Sequence, residues 1–126
     1  MGVRLIKIAV VYFIIGISFG LYMSAFHVFN LATVHVHVNL LGWMSLSIAG
    51  IIYIIFPNLG KTQAAKIHFW LHNIGLPVMM ISIAAAILGL GEVFFPIATI
   101  GGALTVIGIF FFGYNILKNL SSGASL

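Results

Sequence analysis

Thr33–Phe56 reads TVHVHVNLLGWMSLSIAGIIYIIF, a run without Asp, Glu, Lys or Arg. A helix needs about 20 largely apolar residues to cross the hydrocarbon core of a bilayer, and in lipid its backbone polar groups must be satisfied internally. This stretch meets the length condition by itself. Asn30 precedes it and Pro57-Asn58-Leu59-Gly60 follows it, both with turn chemistry that brackets one spanning helix.

Working outward, three more such stretches fill the chain. They predict spans at residues 5–28, 64–88 and 93–117, with 33–56 between the first two. Gly89-Leu90-Gly91, ahead of Glu92 and Pro96, breaks the last pair. A mean hydropathy of +1.27 and a charged fraction of 5% over 126 residues exclude a water-soluble surface. The expected fold is all-α, a single integral-membrane four-helix domain over residues 1–126. The first span is longer than a leader's apolar core and is followed by further spans, so it reads as a retained helix. The polar tail Ser121–Leu126 reads as frayed.

The five basic residues divide by side. Arg4 and Lys7 stand at the start of the first span, Lys61 and Lys66 flank the second connection, and Lys118 follows the fourth span. The 29–33 connection and the Glu92 connection carry no Lys or Arg. By the positive-inside rule both termini face the cytoplasm, in a multi-pass protein of the cytoplasmic (inner) membrane. The net charge of +4 is thereby a topology signal, with lipid as the surrounding partner and no nucleic acid.

With no cysteine, disulfides, iron–sulfur clusters and thiolate-ligated haem are excluded, and histidine is the remaining strong metal ligand. Ionisable groups inside a membrane are costly and mark function. His27, His35 and His37 flank the first non-cytoplasmic connection at similar depth. His68 and His72 lie in the third span, roughly 10 to 15 Å further in by the rise of a helix. Spaced by four, they share one helix face and suit a small metal site or a hydrogen-bonded pair. His35 and His37 are spaced by two, which at about 100° per residue points them to nearly opposite sides. One helix then reaches two cofactors, or two copies of it hold one cofactor between them.

From His27 to Pro57 the chain resembles the H-x-H helix, the tenth, of the catalytic subunit of haem–copper oxidases and nitric oxide reductases, especially the C-type branch. The matching elements are His27 eight positions ahead, the pair His35 and His37, Leu41-Gly42-Trp43, Tyr53 and Pro57. The likeness runs into the eleventh helix through His68-Phe69-Trp70 and Ile74-Gly75, covering about forty per cent of the chain. The resemblance implies haem b, with His35 in the position that ligates the high-spin haem and His37 in the one that ligates the low-spin haem. It also implies an arc like one third of the twelve-helix subunit. The family's copper-binding histidines and cross-linked tyrosine have no counterpart in this chain.

A four-helix arc that is a third of a twelve-helix, pseudo-threefold subunit predicts a homotrimer with haem at each interface, His35 of one chain facing His37 of the next. Within one chain the other ligand at that depth is His27. Trp43, and with it Phe69 and Trp70, are candidates to line a porphyrin, and His68 and His72 are lesser metal candidates. Small residues permit close association: Gly16, Gly20 and Ser24 in the first span, Gly42, Ser45 and Ala49 in the second, Ala98, Gly102 and Thr105 in the fourth. They serve packing within one chain equally well. Pro77 should free the carbonyl of Asn73 and kink the third span, while Met79 and Met80 read as packing residues.

Three functions compete on this reading. The first is a bis-histidine haem b protein for electron transfer, haem handling or gas sensing. The second is a reductase of nitric oxide or oxygen at an open haem. The third is a haem-free membrane protein for metal binding or assembly. The sequence points to no redox partner.

Overall fold

A computed structural model describes residues 1–120; the tail Ser121–Leu126 lies outside the described residues. Among the described residues four helices are long and apolar enough to cross a membrane, Gly2–Phe26, Ala32–Ile55, Gln63–Ile87 and Phe94–Asn119. Their bounds fall within a few residues of those expected, because bilayer thickness sets the length and turn residues set the breaks.

Each end has a local cause. Helix α1 (Gly2–Phe26) stops at His27, which adopts the left-handed conformation (φ 52, ψ 36) while the Val28 N–H returns to the Met23 carbonyl at 3.1 Å. The second span is composite: α2 (Ala32–His37), a π-helical segment (Val38–Met44) and α3 (Ser45–Ile55). It ends at Phe56, which leaves the helical region (φ −118, ψ 77) ahead of Pro57, whose ring disfavours the α conformation in the residue before it. After a short 3-10 turn (Leu59–Lys61), Thr62 caps α4 (Gln63–Ile87) by accepting the Ala65 N–H at 3.1 Å. Pro77 is accommodated inside α4, and Gly89, at φ +76, leads the chain out of it towards α5 (Phe94–Asn119).

The four spans form two antiparallel hairpins. The first joins α1 to the second span; the second joins α4 to α5 and is packed most extensively. Its closeness comes from glycine. A Cβ on Gly75 would stand 2.7 Å from the Gly101 carbonyl oxygen and from Thr105 N, and one on Gly101 would stand 2.5 Å from Met79 N. Both obstacles are backbone, so the two helices meet main chain to main chain. In lipid, where apolar side chains gain nothing by leaving the solvent, such dispersion contact is a principal source of helix association.

Most of the expected small residues pack inside the protomer, while Ser24 is exposed. Gly16 and Gly20 of α1 receive Asn39 and His35 of the second span, and Ala49, Ala98 and Thr105 are buried. Two apolar clusters fill the seam between hairpins. One gathers Leu5, Ala9, Leu46, Ala49, Tyr53, Leu59 and Ala65; the other gathers Val34, Val38, Leu76, Met79 and Met80. Met79 and Met80 are thus packing residues.

Candidate functional site

The five histidines separate into three environments. His27 is exposed and terminates α1 through its left-handed backbone. His35 and His37 sit one turn into the second span, both half-buried. His68 and His72 are buried at 2% and 0% exposure, so that every polar atom on their rings must find a protein partner.

The upper pair is anchored by main-chain carbonyls. His35 Nδ1 is 2.8 Å from the Gly16 carbonyl oxygen of α1, and Gly20 leaves room for the ring, since a Cβ there would lie 2.9 Å from His35 Cε1. His37 Nδ1 is 2.8 Å from the Thr33 carbonyl oxygen one turn back in its own helix. A carbonyl can only accept, so each Nδ1 carries the hydrogen and each Nε2 carries the lone pair. Neither Nε2 has a hydrogen-bond partner among the described residues. Asn39 flanks the pair, its amide donating to the His35 carbonyl at 2.9 Å. An imidazole whose δ nitrogen is held by a carbonyl and whose ε nitrogen is free is prepared as a metal ligand.

The lower pair is arranged differently. Tyr53 of α3, His68 and His72 of α4 and Leu41 of the π segment form one chain: Tyr53 Oη to His68 Nδ1 at 3.2 Å, His68 Nε2 to His72 Nδ1 at 3.3 Å, and His72 Nε2 to the Leu41 carbonyl oxygen at 3.0 Å. Its polarity follows from the last link. Leu41 must accept, so His72 donates from Nε2 and accepts at Nδ1; His68 donates from Nε2 and accepts at Nδ1; Tyr53 donates. Reversing that order would require a carbonyl to donate, which it cannot do. For neutral rings the chain is therefore locked in one sense, a clamp rather than a conducting path. Phe112 of α5 closes it from the side, its ring centroid 5.0 Å from His68 and 5.9 Å from Tyr53.

All four ring nitrogens of His68 and His72 are consumed in this way, leaving none for a metal while the clamp is intact. Among the described residues no group of three or more His, Cys, Asp or Glu side chains gathers that could hold a metal ion. His72 reaches a carbonyl only four residues beyond His37, about 6 Å of helix rise. The two pairs are nonetheless chemically separate.

Trp43 is half-buried in the π segment and packs on Phe13 of α1, with ring centroids 4.7 Å apart. Phe69 and Trp70 meet edge to face at 5.5 Å, and Trp70 is 62% exposed. Asn73, four residues before Pro77, turns its side-chain amide back to the Phe69 carbonyl at 2.7 Å. An apolar cleft of about 480 Å³ opens between α1, α2 and α4, walled by Ile8, Tyr12, Phe19, Val34, Pro77 and Met80; His35 and His37 lie outside it.

One polar cluster was not anticipated. Asn115 of α5 is fully buried and donates to the Leu59 carbonyl at 3.0 Å, while its oxygen accepts from Thr62 at 3.0 Å and from Asn119 at 2.8 Å. This ties the connection between hairpins to the fourth span. An Asn inside an otherwise apolar span is the signal that marks an inward-facing, bonded position.

The chain matches no family model, no curated protein and no solved structure.

Proposed function

We propose that this is a membrane haem b protein in which His35 and His37 supply axial ligands, serving electron transfer or the sensing of a diatomic gas. The observation that carries this reading is the matched state of the two rings: each Nδ1–H is committed to a carbonyl at 2.8 Å and each Nε2 is left with its lone pair. Bound haem supplies a one-electron couple at iron. The chain's own contribution is to fix both tautomers through Gly16 and Thr33, on a helix whose i, i+2 spacing points the two side chains to nearly opposite sides. That opposition favours ligation between copies, and a homotrimer supplies it, with His35 of one chain paired to His37 of the next.

The protein sits in the cytoplasmic membrane with both termini inside, which the sidedness of Arg4, Lys7, Lys61, Lys66 and Lys118 supports. An absorption spectrum of the purified protein tests the site. Sharp reduced bands insensitive to carbon monoxide are expected, lost in His35→Ala and in His37→Ala and retained in His68→Ala and His72→Ala. Full haem retention in His37→Ala, or loss confined to His72→Ala, overturns the assignment. For orientation, a cysteine at Asn58 should resist an impermeant thiol reagent added outside intact cells while one at Glu92 reacts, and the opposite result inverts the topology.

A further inference from the structure

At the end of the molecule where α1 and α4 begin, a cleft of about 500 Å³ is lined by Arg4, Gly60, Lys61, Lys66, Phe69 and Trp70. Three of the chain's five basic side chains converge there, from three different elements. The chain's single acidic side chain is Glu92, on the connection at the opposite face, so no carboxylate side chain can neutralise them. Below the cations the wall changes character. Phe69 is half-buried and Trp70 is exposed, and they stand about 9 to 11 Å further along α4 than Gln63, toward the apolar middle of the span. Charge at the rim and aromatic surface below it match one kind of molecule.

We infer that this cleft binds the phosphate headgroup of an anionic phospholipid, with Arg4, Lys61 and Lys66 around the phosphate and Trp70 with Phe69 along the first part of an acyl chain. Arginine offers a fork of donors to phosphate oxygens, and the two lysines act as point charges. A dispersed basic surface also attracts anionic lipid, through the summed field of its charges. The cleft differs from that background in focusing three cations on one volume and in adding an apolar wall, so it selects for an amphiphile over a free anion.

The full-length protein is reconstituted in phosphatidylcholine vesicles carrying a trace of spin-labelled phosphatidylglycerol or spin-labelled phosphatidylcholine, and the motionally restricted fraction is measured by electron paramagnetic resonance. We expect phosphatidylglycerol to be preferred, with the preference falling at least ten-fold in Arg4→Gln/Lys61→Gln/Lys66→Gln. It should fall no more than about two-fold in Lys7→Gln/Lys118→Gln, which removes two cations outside the cleft. Trp70→Ala, a change at an exposed position that leaves the charge intact, should lower the preference about three-fold. Equal loss per charge in the two sets of charge variants overturns the site, since it shows a general surface field. An unchanged preference in Trp70→Ala removes the acyl-chain contact, and displacement of the labelled lipid by millimolar inorganic phosphate assigns the cleft to a free anion instead. Lys61→Arg/Lys66→Arg should keep the preference; losing it there despite normal detergent-solution folding also overturns the site.

Discussion

His72 donates from Nε2 to the carbonyl oxygen of Leu41 at 3.0 Å, across the seam between the two hairpins. Together with the Tyr53–His68 bond it is the side-chain hydrogen bonding that joins the second span to α4. Each hairpin is packed along its length, whereas the second span and α4 touch more sparingly. The polar clamp therefore acts with the two apolar clusters of the seam in setting how one hairpin sits on the other.

Removing His72 should cost more than removing the tyrosine hydroxyl. His72→Leu leaves the Leu41 oxygen and the His68 Nε2–H without partners, a loss of about 1–3 kcal/mol for a buried orphaned group. Tyr53→Phe removes only the terminal donor, and hydrogen bonds between membrane helices average about 0.6 kcal/mol. Reversible unfolding in mixed micelles should show that order. Strict additivity in the Tyr53→Phe/His72→Leu double variant would show that the three side chains do not act as one chain.

The meeting of α4 and α5 predicts a steep dependence on position along the helices. Gly101→Ala drives a methyl into the main chain of Met79 and should destabilise by about 1–3 kcal/mol. Gly113→Ala, where nothing lies within 4 Å, should be neutral or slightly stabilising, because alanine is the better helix former. Equal melting temperatures for the two would contradict the close crossing.

His27 holds a left-handed backbone at φ 52, a conformation that glycine adopts without strain. His27→Gly should raise stability slightly, by up to about 1 kcal/mol, and His27→Val should lower it by about 1–2 kcal/mol because a branched side chain resists that region. Under interfacial ligation the haem spectrum of His27→Gly stays that of the unaltered protein. Loss of the bound haem in that variant would move a ligand to His27.

Co-assembly separates interfacial from within-chain ligation. Protomers with His35→Ala and protomers with His37→Ala each lack one half of every interface. Mixed in equal amounts, they should recover about a quarter of the normal haem, since a complete pair forms wherever a His35-bearing side meets a His37-bearing side. Recovery no greater than the sum of the separate populations, or a monomeric mass, ends the trimer.

The spans were legible in the sequence because lipid imposes a length and turn residues impose the stops. Asn30 and Pro57 located the second span to within a residue or two. The shared face of His68 and His72 was legible too, since i,i+4 spacing is a property of one helix, and a hydrogen-bonded pair was one of its two readings. The acceptor at the end of their chain was not legible. Leu41 contributes a carbonyl, and which carbonyl of a neighbouring helix stands opposite a side chain depends on helix rotation and depth, which no spacing rule encodes. Tyr53 was visible only as part of a motif, and Asn115 was passed over although its polarity in an apolar span was a usable signal.

The π-helical segment between His37 and the helix that carries Tyr53 has a mechanical consequence. Its wider turn pairs Ser45 N with Leu40 O, five residues back, and so acts as one residue inserted into an otherwise continuous helix. Above it His35 and His37 keep one angular phase; below it Tyr53 keeps another, offset by about 100°. The segment works as a vernier between two registers. Deleting one residue within Val38–Met44 would swing Tyr53 away from His68 or His35 away from Gly16, but would not leave both alignments in place. The same offset lets the half of the span that carries His35 and His37 and the half that carries Tyr53 face different neighbours, α1 for His35 and α4 for Tyr53, within a single helix.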